Sequence, residues 1–230
     1  MAMKNLMEEL KEDWVWVTGY KGTDKDMKCR GYQYELKKAY SIPDYEPVIE
    51  CRNGFHLCKE LSDVFGYYFI GGGNRYFEVS ARVRKDDLER YGRRYNENKL
   101  VARDIVFVRE LDADEILQAY LEDRYGQTPP EYLSPEMNLK NWTDTHKRLA
   151  LGQSVEAAIK LVAADELTRL GYSLPFANYI IANEAYPVAW SVASQEELSM
   201  DMRAMFIINA IQQRAFRTSY EPYSSKPRRR

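Results

Sequence analysis

Arg75-Tyr76-Phe77-Glu78-Val79-Ser80-Ala81-Arg82-Val83 is the stretch that decides the fold class. Phe77, Val79, Ala81 and Val83 alternate with Glu78, Ser80 and Arg82. A period of two places the apolar set on one face of an extended strand and buries that face. Downstream, Leu100–Leu111 holds the unbroken apolar run Ile105-Val106-Phe107-Val108, suited to an interior strand. Asp112-Ala113-Asp114-Glu115 then has the spacing of a capping box and predicts a helix that buries Ile116, Leu117, Tyr120 and Leu121. Upstream, Trp14–Tyr20 is aromatic and β-branched and reads as another strand. Residues 22–31 form a polar connection, and Tyr32–Tyr40 is ambiguous. Val48–Cys51 and Gly54–Cys58 read as short strands around an Arg52-Asn53-Gly54 turn. Leu61–Phe69 reads as a short helix starting near Ser62 or Asp63.

The flanks complete the map. Met3, Leu6, Met7 and Leu10 share one face of an amphipathic helix over residues 3–12. Gly71-Gly72-Gly73 breaks the chain as a flexible hairpin loop, since the following helix and lysine of a phosphate cradle are missing. Lys85–Asn98 is charged and reads as exposed. Residues 126–135 carry Pro129, Pro130 and Pro135 and read as a linker. Beyond it, Val155, Ala158, Ile159, Val162, Leu167 and Leu170 fall on one helical face. Pro175–Tyr186 predicts a second helix. Ser194 with Glu197 predicts a capping box opening a third, which buries Leu198, Met202, Met205 and Phe206. The expected organisation is an α+β domain over 1–125, a helical segment over 136–220 and a basic disordered tail over 221–230.

Composition narrows the function classes. The 230 residues carry a net charge of -2, so no strong field points to nucleic acid. No apolar run reaches the roughly 18 residues of a membrane span. Three cysteines make an odd number, against a secreted disulfide framework, so the expectation is a cytoplasmic protein. Eighteen tyrosines provide large, stiff contact area of the kind used at binding interfaces, but half-burial of many of them at the edge of a modest core is the better reading.

Chemistry-bearing residues cluster between Gly19 and Tyr68. Cys29, Cys51, His56 and Cys58 are ligand types that zinc accepts, but no pair has short C-x-x-C spacing, and buried packing is the better reading. Cys58 and His56 would share a face of a strand as a thiol–imidazole pair, yet no orienting group can be assigned.

Two boxes in this region, Lys28-Cys29-Arg30-Gly31-Tyr32-Gln33-Tyr34 and Gly54-Phe55-His56-Leu57-Cys58, resemble those of an uncharacterised family found in phages and bacterial genomes. Arg103–Glu115 fits the end of that family. More remotely, the order of pieces is similar to the ADP-ribosyltransferase fold, which implies an α+β class with a mixed β core. In that resemblance Tyr20, Lys21, Gly22 and Thr23 fall where the cofactor NAD is held, Phe55 and His56 fall in an aromatic box, and Tyr67 and Tyr68 stack on nicotinamide. Asp104 or Glu110 falls near the catalytic acid. Lys21, His56 and Asp104 each depart from the residue that family carries. An aspartate is one methylene short of a glutamate, and a displacement of about 1 Å can cost on the order of a hundredfold in rate.

The expectation is therefore a phage-type accessory protein in the host cytoplasm that acts by binding a host protein, without catalysis. The enzymatic alternative is ADP-ribose transfer from NAD, or NAD hydrolysis, with His56, Asp104 and Glu110 as catalytic residues. A structural or cargo protein of a virion is the third reading.

Overall fold

A computed structural model describes residues 13–50, 52–91, 98–126 and 138–219, with side chains described to residue 214. The helix expected over residues 3–12, most of the 126–135 linker, Cys51 and the basic tail lie outside the described residues. The chain divides into two compact units. One comprises Met1–Pro129 with Thr143–Ala157, and the other Pro130–Trp142 with Ala158–Arg230.

The first unit is α+β. Its strands are β1 (Trp14–Thr23), β2 (Lys28–Cys29), β3 (Tyr32–Gln33), β4 (Ala39–Ser41), β5 (Phe55–Leu57), β6 (Arg75–Arg84) and β7 (Leu100–Glu110). Helix α1 (Leu61–Val64) follows β5, α2 (Lys85–Arg90) follows β6, and α3 (Ala113–Tyr125) follows β7. Every pairing in the main sheet is antiparallel. β1 pairs with β6 and β6 with β7, while the far edge of β7 takes β5 at Leu100–Ala102 and β4 at Asp104–Val106.

The alternation in β6 sets this arrangement. Phe77, Val79, Ala81 and Val83 are fully buried. They join Ile105 and Phe107 of β7 and a cluster of rings from Tyr34, Tyr40 and Phe55. Tyr34 stacks on Phe107 at 4.6 Å between centroids, and Phe77 meets Phe107 edge-on at 5.2 Å. β7 is interior, as its apolar run predicts, but it is not buried throughout that run, since Val108 is 39% exposed. The ambiguous segment 32–40 resolves into β3 and β4. Of the two short strands expected around Arg52-Asn53-Gly54, only β5 forms, and Ile49 meets Asn53 in an isolated bridge.

Helix α3 has the predicted capping box. Asp112 Oδ1 accepts from the Glu115 amide at 2.9 Å, and the Glu115 carboxylate accepts from the Asp112 amide at 3.0 Å. Ile116, Leu117 and Leu121 are buried, whereas Tyr120 is half-buried and meets Phe65 edge-on at 5.8 Å. Helix α1 begins at Leu61, as expected, but ends at Val64 rather than Phe69. Its N-cap is Glu60, with no side-chain cap. Part of the charged segment 85–98 forms α2, none of whose residues is buried. Helix α4 (Asp144–Gly152), in the segment read as a separate helical region, belongs to this first unit. It is tied to α3 by Lys147 Nζ and Asp114 at 2.5 Å.

The second unit is helical. α5 (Val155–Arg169) runs into it, followed by α6 (Leu174–Ala182), α7 (Tyr186–Ala193) and α8 (Met200–Ser219). Its core joins Leu167, Ile180, Ala189, Ile207 and Ile211. Two expectations are corrected. The helix expected over Pro175–Tyr186 stops at Ala182, because Glu184 adopts φ 51°, outside the helical region, and a new helix opens with Pro187 in its first turn. Ser194 does not cap α8. It ends α7 and its hydroxyl donates back to the Trp190 carbonyl at 3.1 Å, while Ser199 Oγ accepts from the Met202 amide at 3.3 Å. Packing turns this helix so that Ile207 and Ile211, four apart, are buried, and Met202, Met205 and Phe206 are 46%, 64% and 52% exposed. Among the described residues no helix is long and apolar enough to cross a membrane.

Candidate functional site

The two boxes meet at one place. β1 runs along β6 and β5 along β7, and the two touch each other at a single antiparallel bridge. There the Tyr20 amide donates to the Cys58 carbonyl at 2.7 Å, and the Cys58 amide donates to the Tyr20 carbonyl at 2.8 Å. Beside this bridge lies a cavity of about 210 Å³.

Four segments line it. β1 contributes Tyr20, Lys21 and Gly22, and the β5 segment contributes His56, Leu57 and Cys58. Tyr67 and Tyr68 come from the turns after α1, and Cys29 and Arg30 from the β2–β3 hairpin. Val64 and Lys99 complete the wall. The hairpin turns on Arg30 and Gly31, with φ of 49° and 82°. Two successive left-handed residues are the geometry of a tight type I′ turn, which glycine adopts freely and arginine does not. The fold thus holds Arg30 in an unfavoured backbone conformation at the cavity wall. Gly22 allows another close approach, because a Cβ at that position would lie 2.4 Å from the Tyr68 ring.

Lys21 is the group that sequence position alone would not place inside. It is 4% exposed. Its Nζ donates to the His56 carbonyl at 2.6 Å and to Cys29 Sγ at 3.8 Å, and stands 5.3 Å from the Tyr34 ring centroid. Burial lowers its pKa, and the nearby Arg30 adds to this, against a raising effect from Cys29 and Cys58. Burial also depresses His56, from 6.5 to about 4, with Lys21, Lys99 and Arg30 pushing the same way and Glu50 opposing them. The Cys58 thiol is pushed up to about 12 by burial and by Asp63, so it is a packed thiol rather than a ready nucleophile. Burial and a hydrogen bond with Cys29 raise the Tyr68 hydroxyl. Tyr67 Oη donates to Asn98 at 2.7 Å, and Lys99 Nζ pairs with Glu50 at 3.0 Å.

Of the residues singled out from sequence, Tyr20, Lys21, Gly22, His56, Tyr67 and Tyr68 come together in this cavity. Thr23 and Phe55 do not line it. Thr23 is buried with its hydroxyl donating to the Asp24 carbonyl at 2.8 Å, and Phe55 belongs to the ring cluster of the core. Asp104 and Glu110 are also outside it. Asp104 accepts from Arg82 at 2.5 Å across the β6–β7 ladder, and Glu110 forms a two-pronged pair with Arg75 at 2.7 and 2.6 Å. Arg30 and Lys99 line the cavity without having been read as site residues. Arg30 was legible as part of its box, while nothing local marks Lys99. Among the described residues no group of three or more His, Cys, Asp or Glu side chains is placed to hold a metal ion.

The cavity can therefore hold a ligand, with the long side chains of Lys21, Arg30 and Lys99 and tyrosine rings on its wall. No Asp or Glu side chain is among the described residues lining it. No curated protein and no solved structure matches this chain. Residues 17–119, which include every residue named on the cavity wall, match the family model described as a domain of unknown function (DUF7666).

Proposed function

We propose that the first unit is a binding domain of ADP-ribosyltransferase-like architecture that holds the anionic part of a nucleotide-class ligand, such as NAD or ADP-ribose, without turning it over. One observation carries this reading. Lys21, Arg30 and Lys99 line a cavity together with Tyr67 and Tyr68, and the carboxylates Asp104 and Glu110 are engaged elsewhere by Arg82 and Arg75. Cations and stiff aromatic faces suit phosphate and base recognition. Glycosyl transfer from NAD draws on an acid that orients the ribose, and the described wall supplies none. A phage-type protein of this kind would act on its host by capturing or sensing such a ligand, with a host protein as the further partner.

Isothermal titration calorimetry with AMP, ADP-ribose and NAD tests the binding. The expected result is saturable binding of at least one of them that Arg30→Ala weakens by about tenfold or more, the worth of one charge-assisted hydrogen bond. Asp104→Asn and Glu110→Gln leave the affinity within about twofold, as independent sites do. Consumption of NAD by the wild type that Asp104→Asn abolishes would overturn the non-catalytic reading. Absence of binding by all three compounds would overturn the ligand class. Affinity capture from host lysate, with and without the bound compound, tests the protein partner.

A further inference from the structure

We propose that Lys21 is an amine nucleophile that captures a small anionic aldehyde or 2-oxo acid in the cavity as an imine. The proposal rests on the anion-holding reading of the cavity given above and adds a covalent step to it.

The placement of Nζ is the first ground. A neutral amine has two N–H donors and one lone pair. Two acceptors lie within reach, the His56 carbonyl at 2.6 Å and Cys29 Sγ at 3.8 Å. Those contacts take the two N–H groups and leave the lone pair for an electrophile. The same contacts fix the amine, so a bound carbonyl group meets it in one orientation.

The second ground is the surroundings. Lys21 Nζ stands 5.3 Å from the Tyr34 ring centroid, and among the described residues its hydrogen bonds go to a thiol and a backbone carbonyl, not to a carboxylate. An ammonium group there is desolvated and has Arg30 nearby, two conditions that favour the free base. Arg30 and Lys99 line the same cavity and would hold the anionic group of the incoming compound. The cavity, at about 210 Å³, is of the right order for a small compound.

The step balances without any oxidant or reductant. The Nζ lone pair forms a bond to the carbonyl carbon, the carbonyl oxygen takes both amine protons, and water leaves. The product is an imine between Nζ and the former carbonyl carbon.

Glyoxylate with sodium cyanoborohydride at pH 7, followed by peptide mapping of the full chain, tests the proposal. An ordinary lysine of pKa about 10.4 is neutral in only one molecule in roughly 2,500 at pH 7. Each pH unit by which the amine is easier to deprotonate multiplies the free base about tenfold. The expected result is reductive alkylation at Lys21 at least about tenfold faster than at any exposed lysine. AMP, which has no carbonyl to react, is expected to slow it. Labelling confined to exposed lysines, in a protein that calorimetry shows to bind AMP, would overturn the imine site and leave the binding reading intact. Fast labelling of Lys21 in a protein that binds no nucleotide would support the amine site and sink the nucleotide reading instead. Lys21→Arg is expected to remove the label. Because that buried change can also disturb folding, the wild-type map is decisive by itself.

Discussion

His56 offers the sharpest test of the electrostatics of the cavity. Its imidazole titrates at about 4 instead of 6.5, because burial and the cations Lys21, Lys99 and Arg30 disfavour the charged ring. The sign follows from proton linkage. Between pH 4 and 6.5 the unfolded chain binds a proton at this position and the folded chain does not. Stability is therefore full above the unfolded value and is lost as the pH falls towards the folded one. At pH 5 the undiscounted loss is about 2 kcal/mol for such a pair of values. The ring is only partly buried, and solvent screening reduces this to about 1 kcal/mol. The chain has two histidines, so the ring signals of His56 and His146 are resolvable by NMR, and His56→Gln assigns them. The expected midpoint for His56 is near 4. Urea unfolding should show wild type losing about 1 kcal/mol more than His56→Gln between pH 7.5 and pH 5. An anion in the cavity would raise the midpoint, since a negative neighbour favours imidazolium. A midpoint at or above 6.5 in the free protein would refute the account of a partly buried ring among cationic side chains.

Three further outcomes are expected. Gly22→Ala pushes a methyl group into the Tyr68 ring and should destabilise the first unit by about 1–3 kcal/mol, read from its thermal transition. Arg103 is 8% exposed and donates to the carbonyls of Ile42, Pro43 and Glu46 at 3.2, 2.6 and 3.0 Å. Arg103→Ala should cost about 2–4 kcal/mol and free the segment around Pro43, seen as faster amide exchange at Ile42. In α8, Ile207→Ala should cost about 2–5 kcal/mol and Phe206→Ser less than about 0.5 kcal/mol by chemical denaturation. The reverse order would show that the helix is turned the other way.

Elements whose signals are local were legible in the sequence. β6 shows in its alternation, β7 in its apolar run and α3 in its capping box, because each depends on neighbours within a few residues. β5 is three residues long and is defined by its partner Leu100–Ala102 rather than by its own pattern. α8 misled because apolar residues occupy two of its faces. Met202, Met205 and Phe206 compete with Ile207 and Ile211, and packing decides between them, not periodicity. The cavity was half legible. The second box marked His56 and the order of elements marked Lys21, but Lys99 arrives from a distant segment with no motif around it. Asp104 was assigned by the order of elements along the chain. The register, which sets it opposite Arg82, is a long-range property that order does not contain.

The Tyr20–Cys58 bridge has a consequence in time. Every other junction of the main sheet is a ladder of several residue pairs, whereas this one is a single reciprocal pair of hydrogen bonds. With the Lys21 Nζ bond to the His56 carbonyl, which crosses the same seam at 2.6 Å, these bonds are worth about 3 kcal/mol net, so the seam parts in roughly one molecule in 150 while both ladders stay closed. Deuterium should reach the amides of Tyr20 and Cys58 long before it reaches the centre of β6. The cavity wall therefore opens as a local fluctuation, on a clock separate from the unfolding of the sheet that carries it.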